Sequence, residues 1–263
     1  MKVTLITGAS SGIGEAFARR LAAEKHNLVL VARSEDKLHA LCDELMLKYG
    51  ITAHYIAIDL IDYEADLRLF RETEKHGMEV EWLINNAGFG SMGDFAELEL
   101  ETELEMISLN IMALVALTHR YLQKMCERGE GTIINVASTA SFQPVPFMAT
   151  YAATKAFVRS FSEAIAEENR PFNITVTALC PGPTDTNFFN AADAEPFQTK
   201  GIQTPEEVVE AALKGVSRGK AQIISGWTNY IGSVFGTLMP NSLTTRVVGK
   251  VLRPKIENKK QLK

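Results

Sequence analysis

Hydrophobic residues along the chain follow two spacings that alternate from residue 3 to about 225. Short runs that are apolar almost throughout predict buried strands, and longer stretches with apolar residues every three or four positions predict amphipathic helices. The predicted strands are 3–7, 27–33, 52–58, 80–85, 131–137, 173–179 and 221–225. The predicted helices are 12–25, 35–49, 62–76, 99–128, 151–170 and 205–218. This alternation predicts an α/β fold, in which parallel strands and right-handed crossover helices form one doubly wound sheet flanked by helices.

Two segments depart from the alternation. Residues 186–204 are polar and contain Pro196 and Gly201, and a loop of this length predicts a functional lid or a partly disordered segment. After residue 226 two more helical segments follow, separated by Pro240. We therefore describe the chain as a main domain, 1–226, and a C-terminal helical extension of the same domain, 227–263.

The extension combines apolar stripes with a basic end. The apolar residues at helical spacing are Trp227, Tyr230, Ile231, Val234, Phe235, Leu238 and Met239, then Leu243, Val247, Val248, Val251 and Leu252. Residues 241–263 hold seven Lys and Arg (246, 250, 253, 255, 259, 260 and 263) and one acid, Glu257. The stripes predict helices that cover a substrate pocket or pack against another subunit. A basic amphipathic helix can instead lie on an anionic membrane surface, and both interpretations stay open.

Charge and cysteine content argue against several classes of protein. The 27 Lys and Arg against 32 Asp and Glu give a formal net charge of -5, whereas nucleic-acid binding usually needs a basic face. Cys42, Cys126 and Cys180 are far apart, so we expect no metal site, no disulfide framework and a reducing compartment. The longest uncharged run, 221–245, is broken by Pro240 and glycines. Since the chain also opens on a predicted strand, we expect neither a spanning helix nor a leader, and a cytoplasmic protein.

The first predicted strand runs into the first predicted helix through a glycine-rich loop, Thr7-Gly8-Ala9-Ser10-Ser11-Gly12-Ile13-Gly14. Glycines permit a tight turn and let backbone N–H groups approach a pyrophosphate, which then rests at the helix N-terminus. The spacing is G-x-x-x-G-x-G rather than G-x-G-x-x-G, and a glycine-rich turn without a ligand is the alternative. The position of the loop after the first strand favours a dinucleotide site in a Rossmann-type fold.

The residue after the second predicted strand indicates which dinucleotide binds. An NAD site needs a carboxylate there for the ribose 2′-hydroxyl, whereas a 2′-phosphate needs a cation. Arg33 holds this position, and Glu35 and Asp36 come later, where they complement a helix dipole. Because a guanidinium pairs well with phosphate, the sequence predicts NADP(H), with Ser10 or Ser11 adding a hydroxyl contact. The alternative is that Arg33 is an uninvolved surface residue.

A tyrosine and a lysine lie one turn apart in the predicted helix 151–170. Tyr151 and Lys155 share a helix face, where the ammonium favours the phenolate and lowers the phenol pKa from its ordinary value near 10. This spacing alone also occurs in ordinary amphipathic helices. Ser138 after the fifth predicted strand and the segment 85–88 (NNAG) after the fourth strengthen it, because the carboxyl ends of parallel strands border the cofactor crevice.

Taken together, these motifs resemble the short-chain dehydrogenase/reductase family, in its form of about 250 residues, from residue 3 to about 225. The matching landmarks stand in the family's order: 7–14 (TGASSGIG), Asp59, 85–88, Asn110, Ser138, Tyr151 with Lys155, Pro181-Gly182 and Thr186. The resemblance implies that Ser138 polarises a substrate carbonyl and that Tyr151 donates the proton. It implies that Lys155 lowers the tyrosine pKa and binds the nicotinamide ribose, and that Asn110 holds a water linked to Lys155.

The resemblance also implies a set of cofactor contacts. The implied residues are Gly8, Ser10, Ser11, Gly12, Ile13, Gly14, Arg33, Asp59, Asn86, Ala87, Gly88, Tyr151, Lys155, Pro181, Gly182, Thr184 and Thr186. Several have a structural alternative. Asp59 could cap the helix that follows instead of meeting the adenine, and Thr184 competes with Thr186 for the nicotinamide. Asn110 could face solvent, and residues 85 and 86 could tie strands together.

The sequence therefore predicts an NADPH-dependent oxidoreductase that moves hydride between nicotinamide and a carbonyl or secondary alcohol. The extension resembles those of family members that reduce lipophilic carbonyls, which indicates a lipophilic ketone, aldehyde or 3-oxoacyl substrate in a pocket walled by 91–95, 139–150 and 188–200. The alternative is an NADP-binding regulatory or scaffold protein without turnover, but all four implied catalytic residues are present. Family members pair two long helices, here 99–128 and 151–170, so we expect a homodimer or homotetramer.

Overall fold

A computed structural model describes residues 1–186, 188 and 202–261, excluding the side chains of 255 and 258–261. Within these residues seven strands form one parallel sheet of order β3-β2-β1-β4-β5-β6-β7. The strands are β1 Lys2–Thr7, β2 Leu28–Ala32, β3 Ala53–Ala57, β4 Glu79–Asn85, β5 Gly131–Val136, β6 Ile174–Cys180 and β7 Gln222–Ile224. The helices are α1 Gly12–Ala23, α2 Glu35–Tyr49, α3 Ala65–Lys75, α4 Leu100–Ile107, α5 Leu114–Arg128, α6 Ala149–Asn169, α7 Pro205–Val216, α8 Trp227–Leu238 and α9 Asn241–Gln261.

Helices cover both faces of the sheet, which explains why the strands are apolar throughout. On β2, Leu28 and Leu30 pack into the core under α1, α2 and α7, while Val29 and Val31 pack into the core under α3 and α5. Successive side chains of a strand point to opposite faces, so a strand buried on both sides shows no polar alternation. The predicted Rossmann-type, doubly wound parallel sheet is confirmed.

The order of the strands reverses beside β1, which has β2 on one side and β4 on the other. In such sheets a crevice opens at the carboxyl ends of the strands on either side of this point. The loops after β1, β4, β5 and β6, which hold most of the predicted site residues, therefore meet at one edge of the sheet.

Most predicted helices differ from the structure by at most two residues at an end, and two differ by more. The predicted helix 99–128 is interrupted by a π-helical turn, Ser108–Ala113, between α4 and α5. The predicted helix 62–76 begins later, at Ala65, because the chain first closes a turn in which the Asp59 carboxylate accepts the Ile61 N–H at 3.1 Å. Of the predicted lid, 186–204, residues 187 and 189–201 lie outside the described residues.

The C-terminal extension forms two helices, α8 and α9, as the apolar spacing predicts. The helix α9 continues through Pro254, and its Leu252 and Ile256 pack against Met92 and the loop before α6. Among the described residues, no helix combines the length and apolarity that crossing a bilayer requires. The division of the chain at residue 226 stays a prediction.

Candidate active site

The glycine loop joins β1 to α1 through a turn that side chains would block. Gly8 and Gly12 have positive φ angles of 65° and 58°, and a Cβ on Gly14 would stand 2.3 Å from the Gly8 carbonyl oxygen. In the described part of the chain the Ser11 side chain makes no capping hydrogen bond to α1. The N–H groups of the first helical turn are thus left for an anion, and the close approach of the backbone suits a pyrophosphate.

The amide of Asn86 supports this loop from the end of β4. Its Nδ2 donates to the carbonyl oxygens of Thr7 at 2.9 Å and Gly8 at 3.2 Å, and the backbone N–H groups of Asn86 and Ala87 donate to Thr7 Oγ1. Asn85 Nδ2 donates to side chains on α5 and β5. The alternative that the two asparagines tie strands together is thus confirmed in their contacts, and direct contact of residues 86–88 with a cofactor stays a prediction.

Arg33 and Asp59 lie at the ends of β2 and β3, beside the glycine loop. The Arg33 side chain is 76% exposed, and its Nη1 stands 3.5 Å from Asp59 Oδ2. An exposed pair at this distance holds its partners weakly, so the guanidinium can turn to a phosphate. The alternative that Asp59 caps α3 is wrong, since it closes the preceding turn.

Ser138 and Tyr151 face each other across the crevice. Ser138 follows β5, and its Oγ accepts the Ala140 N–H at 3.1 Å, which fixes the start of the following short 3-10 helix. Tyr151 lies in the first turn of α6 and is buried. Burial raises the pKa of Tyr151 to about 12, and a hydrogen bond with the Ser138 side chain acts against this rise. The phenol is therefore protonated at neutral pH.

Lys155 lies one turn along α6 and is also buried. Its Nζ donates to the Val136 carbonyl at 2.8 Å and stands 5.9 Å from the centre of the Tyr151 ring. Burial lowers the pKa of Lys155 to about 8, so the ammonium persists at neutral pH. The expected lowering of the Tyr151 pKa by Lys155 is not found, because burial dominates and the Lys155 ammonium donates its hydrogen bond to β5 instead.

Asn110 is buried inside the π-helical turn, so the alternative that it faces solvent is wrong. Its Nδ2 donates to the Phe89 carbonyl at 2.9 Å and to Thr154 Oγ1 at 3.1 Å, and its Oδ1 accepts the Phe89 N–H. A Cβ on Gly88 would come within 2.7 Å of Asn110 Oδ1 and 3.4 Å of Lys155 Nζ. Asn110 thus lies close to Lys155, and its water-holding role stays a prediction.

The loop after β6 closes the crevice from the other side. Thr186 lies over the glycine loop, because a Cβ on Gly12 would meet its Cγ2 at 3.0 Å. Thr184 is buried and its hydroxyl donates to the Gly182 carbonyl at 3.0 Å. Of the two competing threonines, Thr186 is therefore the one placed beside the glycine loop.

Sequence reasoning missed Asn229, on α8. A Cβ on Gly182 would lie 2.3 Å from its amide, and Asn229 Nδ2 donates to the Ser225 carbonyl at 2.7 Å and to Gln203 Oε1 at 3.1 Å. The extension thus holds the Pro181-Gly182 turn in place. The only sign of this role in the sequence was that Asn229 is an amide in the first turn of α8, a helix whose other large side chains are apolar.

Comparison with known proteins agrees with this geometry. Residues 2–196 match the family model described as short chain dehydrogenase. The chain belongs to the short-chain dehydrogenase family. It is therefore an oxidoreductase, and the alternative of a protein without turnover loses its support.

This dehydrogenase has relatives of two named activities. It is 33% identical over 225 residues to the very-long-chain 3-oxoacyl-CoA reductase of Pyrenophora tritici-repentis, covering 83% of this chain and 64% of that protein. It is 29% identical over 219 residues to the 3-oxoacyl-[acyl-carrier-protein] reductase of Aquifex aeolicus, covering 81% and 88%. A Sphingobium yanoikuyae short-chain dehydrogenase, solved in complex with NADPH, superposes with a TM-score of 0.82 at 32% identity, covering 90% and 94% of the two chains.

An aromatic side chain lies beside Tyr151. The Phe188 ring lies 5.3 Å from the Tyr151 ring, while the rest of the predicted wall 188–200 is outside the described residues. A cavity of about 630 Å³ lies between the loop 141–146 and the starts of α6 and α9. Neither Ser138 nor Tyr151 is among its described lining residues, so it lies beside the catalytic pair. In the described ranges no cluster of His, Cys, Asp or Glu could hold a metal ion.

Proposed function

We propose that this dehydrogenase uses NADP(H) to interconvert a carbonyl and a secondary alcohol. Support comes from the glycine loop, whose backbone leaves room for a pyrophosphate, and from the exposed Arg33 at the end of β2. The nearest acids in sequence, Glu35 and Asp36, belong to the first turn of α2. A cation therefore occupies the position that distinguishes a 2′-phosphate from a 2′-hydroxyl.

The observation that carries the proposal is that Ser138, Tyr151 and Lys155 meet at the carboxyl end of β5. NADPH, when bound, supplies the hydride. The protonated Tyr151 phenol gives its proton to the carbonyl oxygen, and the Ser138 hydroxyl hydrogen-bonds the same oxygen and polarises it. The Lys155 ammonium stabilises the phenolate that forms and binds the nicotinamide ribose. Because the phenol is protonated at neutral pH, the site is prepared for reduction.

The substrate class we propose is a lipophilic ketone, aldehyde or 3-oxoacyl compound. Phe188 packs beside Tyr151, and Met92, Phe147 and Met148 form an apolar cluster with α9. Apolar walls bind apolar substrate chains because both surfaces leave water. The names of the 3-oxoacyl reductases among the relatives agree with this class.

Replacing the proton donor tests the mechanism. Tyr151→Phe should lower turnover by about 10²–10⁴-fold. Turnover is followed by NADPH absorbance, with 3-oxoacyl thioesters, ketones and aldehydes of increasing chain length as substrates. Binding of NADPH, measured by fluorescence, should change little, because the phenol oxygen is the only atom lost. Tyr55→Phe, at an exposed pair with Glu35, is the matched control and should keep turnover. Full activity of Tyr151→Phe with a verified substrate would refute the mechanism.

Replacing Arg33 tests the cofactor. Arg33→Ala should raise the KM for NADPH by about 10–100-fold, because a charge-assisted hydrogen bond to the phosphate is lost. The KM for NADH serves as the internal control and should change little. An equal rise in the KM for NADPH and for NADH would show that Arg33 does not bind the 2′-phosphate.

We also propose a homodimer or homotetramer in the cytoplasm. Exposed apolar residues lie on the two helices expected to pair: Leu100, Leu104, Met112 and Phe157. The cysteines Cys42, Cys126 and Cys180 are free, which suits a reducing compartment. Light scattering of the purified chain measures the assembly, and a monomer at micromolar concentration would contradict it.

A further inference from the structure

Helix α8 turns its apolar face outward. Its large apolar side chains are all exposed: Trp227, Tyr230, Ile231, Val234, Phe235 and Leu238. The positions that the helix buries are Ser233 and Gly236. Leu238 is 77% exposed and Trp227 73% exposed, while Ile231 and Val234 are exposed to 40% and 37%. A helix on a protein surface normally has the opposite arrangement, so this face is built to meet an apolar phase outside the described chain.

Helix α9 adds a second exposed stripe that carries positive charge. Leu243, Val247 and Val251 follow one another at intervals of four and are exposed, while Leu252 is buried on the opposite side. Arg246 and Lys250 are exposed too. At 100° per residue these cations lie on the same half of the helix as the stripe. The outward face of α9 is thus apolar with a basic border.

The charge of the chain is divided sharply between its body and this end. Residues 241–263 contain seven Lys and Arg and one acid, whereas residues 1–240 contain 20 Lys and Arg and 31 Asp and Glu. An anionic surface therefore attracts the end of the chain and repels the body. This asymmetry orients the molecule with its C-terminal helix, α9, toward such a surface, and α8 immediately precedes α9 in the chain.

We propose that the outward faces of α8 and α9 bind peripherally to an anionic lipid bilayer. The Trp227 and Tyr230 rings stack with centres 5.7 Å apart and are exposed, and such rings settle at the headgroup level of membranes. The apolar side chains enter the acyl boundary while the cations of α9 meet lipid phosphates. A second copy of the chain fits less well, because an isologous contact through this face would bring two basic ends together.

Sedimentation of the full chain with lipid vesicles tests the proposal. The probes are phosphatidylcholine vesicles and vesicles with about a third phosphatidylglycerol. The chain should sediment with the anionic vesicles, and salt should weaken this binding. The double variant Arg246→Gln with Lys250→Gln should weaken binding to the anionic vesicles about thirtyfold, because each cation near the surface contributes about 1 kcal/mol. Phe235→Ser with Leu238→Ser should weaken it at least about tenfold, because two buried apolar side chains are lost.

Matched controls separate membrane binding from damage to the fold. Leu47→Ser removes a leucine from α2 that is even more exposed, at 91%, and this variant should bind vesicles like the unaltered chain. All these variants alter outward positions and should keep NADPH turnover. Vesicles should also shift the tryptophan emission to shorter wavelength, and Trp227→Phe should abolish this shift although Trp82 remains.

Three outcomes would overturn the proposal. One is that the full chain stays in solution with anionic vesicles at low salt. Another is that the Arg246/Lys250 variant and the Phe235/Leu238 variant bind as tightly as the unaltered chain. The third is that the unaltered chain forms an oligomer that does not bind vesicles, and that light scattering shows this oligomer to be split in the Phe235/Leu238 variant. That result would assign the face to a second copy of the chain.

Discussion

The Lys155 ammonium is held almost entirely out of water, at 5% exposure, and donates a hydrogen bond to the Val136 carbonyl. Its pKa falls from 10.5 to about 8 because burial penalises the charge. At 1.36 kcal/mol per pH unit, this fall corresponds to about 3 kcal/mol of unfavourable free energy at neutral pH. Lys155→Met keeps most of the side-chain volume and removes the charge. It also leaves the Val136 carbonyl without its hydrogen bond, which costs about 1–2 kcal/mol. We therefore expect the variant to be about 1–2 kcal/mol more stable than the unaltered chain, and inactive.

The pH dependence of this difference is the sharper measurement. Below pH 8 lysine is protonated in both the folded and the unfolded chain, so the full penalty applies. Between pH 8 and 10.5 the unfolded chain binds a proton that the folded chain lacks, so the unaltered protein gains stability relative to the variant as pH rises. The advantage of Lys155→Met should therefore be constant below pH 8 and shrink above it.

Urea unfolding, followed by circular dichroism at about pH 7 and about pH 9.5, measures the stability difference between Lys155→Met and the unaltered chain and its change with pH. Lys124→Met, on the exposed face of α5, is the matched control and should change stability by less than about 0.5 kcal/mol at either pH. A variant less stable than the unaltered protein at neutral pH would refute the reasoning. So would a stability difference that does not change between the two pH values.

Three further substitutions test the supports of the site. Gly88→Ala drives a Cβ to within 2.7 Å of Asn110 Oδ1 and should lower kcat/KM about a hundredfold in NADPH turnover; unaltered kinetics would contradict this. Asn85→Ala removes hydrogen bonds from β4 to α5 and β5 and should lower the free energy of unfolding by about 2 kcal/mol; an unchanged urea midpoint would show that these bonds contribute nothing. Thr204→Ala breaks the capping box with Glu207 at the start of α7 and should cost about 1 kcal/mol by thermal unfolding, whereas Thr204→Ser should be neutral.

The sheet could be predicted from sequence because each strand carries its own signal. Leu28 to Val31 form an unbroken apolar run, and only burial on both faces explains such a run. The catalytic residues could be predicted for a related reason: Ser138, Tyr151 and Lys155 stand at strand and helix ends that a parallel sheet brings to one edge.

Contacts between distant segments could not be predicted in this way. The π-helical turn at Asn110 depends on its bonds to Phe89 and Thr154, residues far away in sequence. The direction of the Lys155 side chain, toward the Val136 carbonyl, likewise depends on how α6 lies against β5. The apolar spacing of α8 showed that one face is hydrophobic, but periodicity does not reveal what covers that face.

The opposite pKa displacements of Tyr151 and Lys155 have one cause, which links stability to chemistry. Burial favours the neutral form of each group, so it raises the pKa of Tyr151 to about 12 and lowers that of Lys155 to about 8. At neutral pH, below both values, the site holds a neutral phenol and a charged ammonium, which are the forms that proton donation requires. A more exposed site would hold the same forms at less cost, but water would then screen the ammonium from the phenolate that it must stabilise. The free energy lost by burying Lys155 is therefore the cost of holding a poorly screened ammonium 5.9 Å from the centre of the Tyr151 ring.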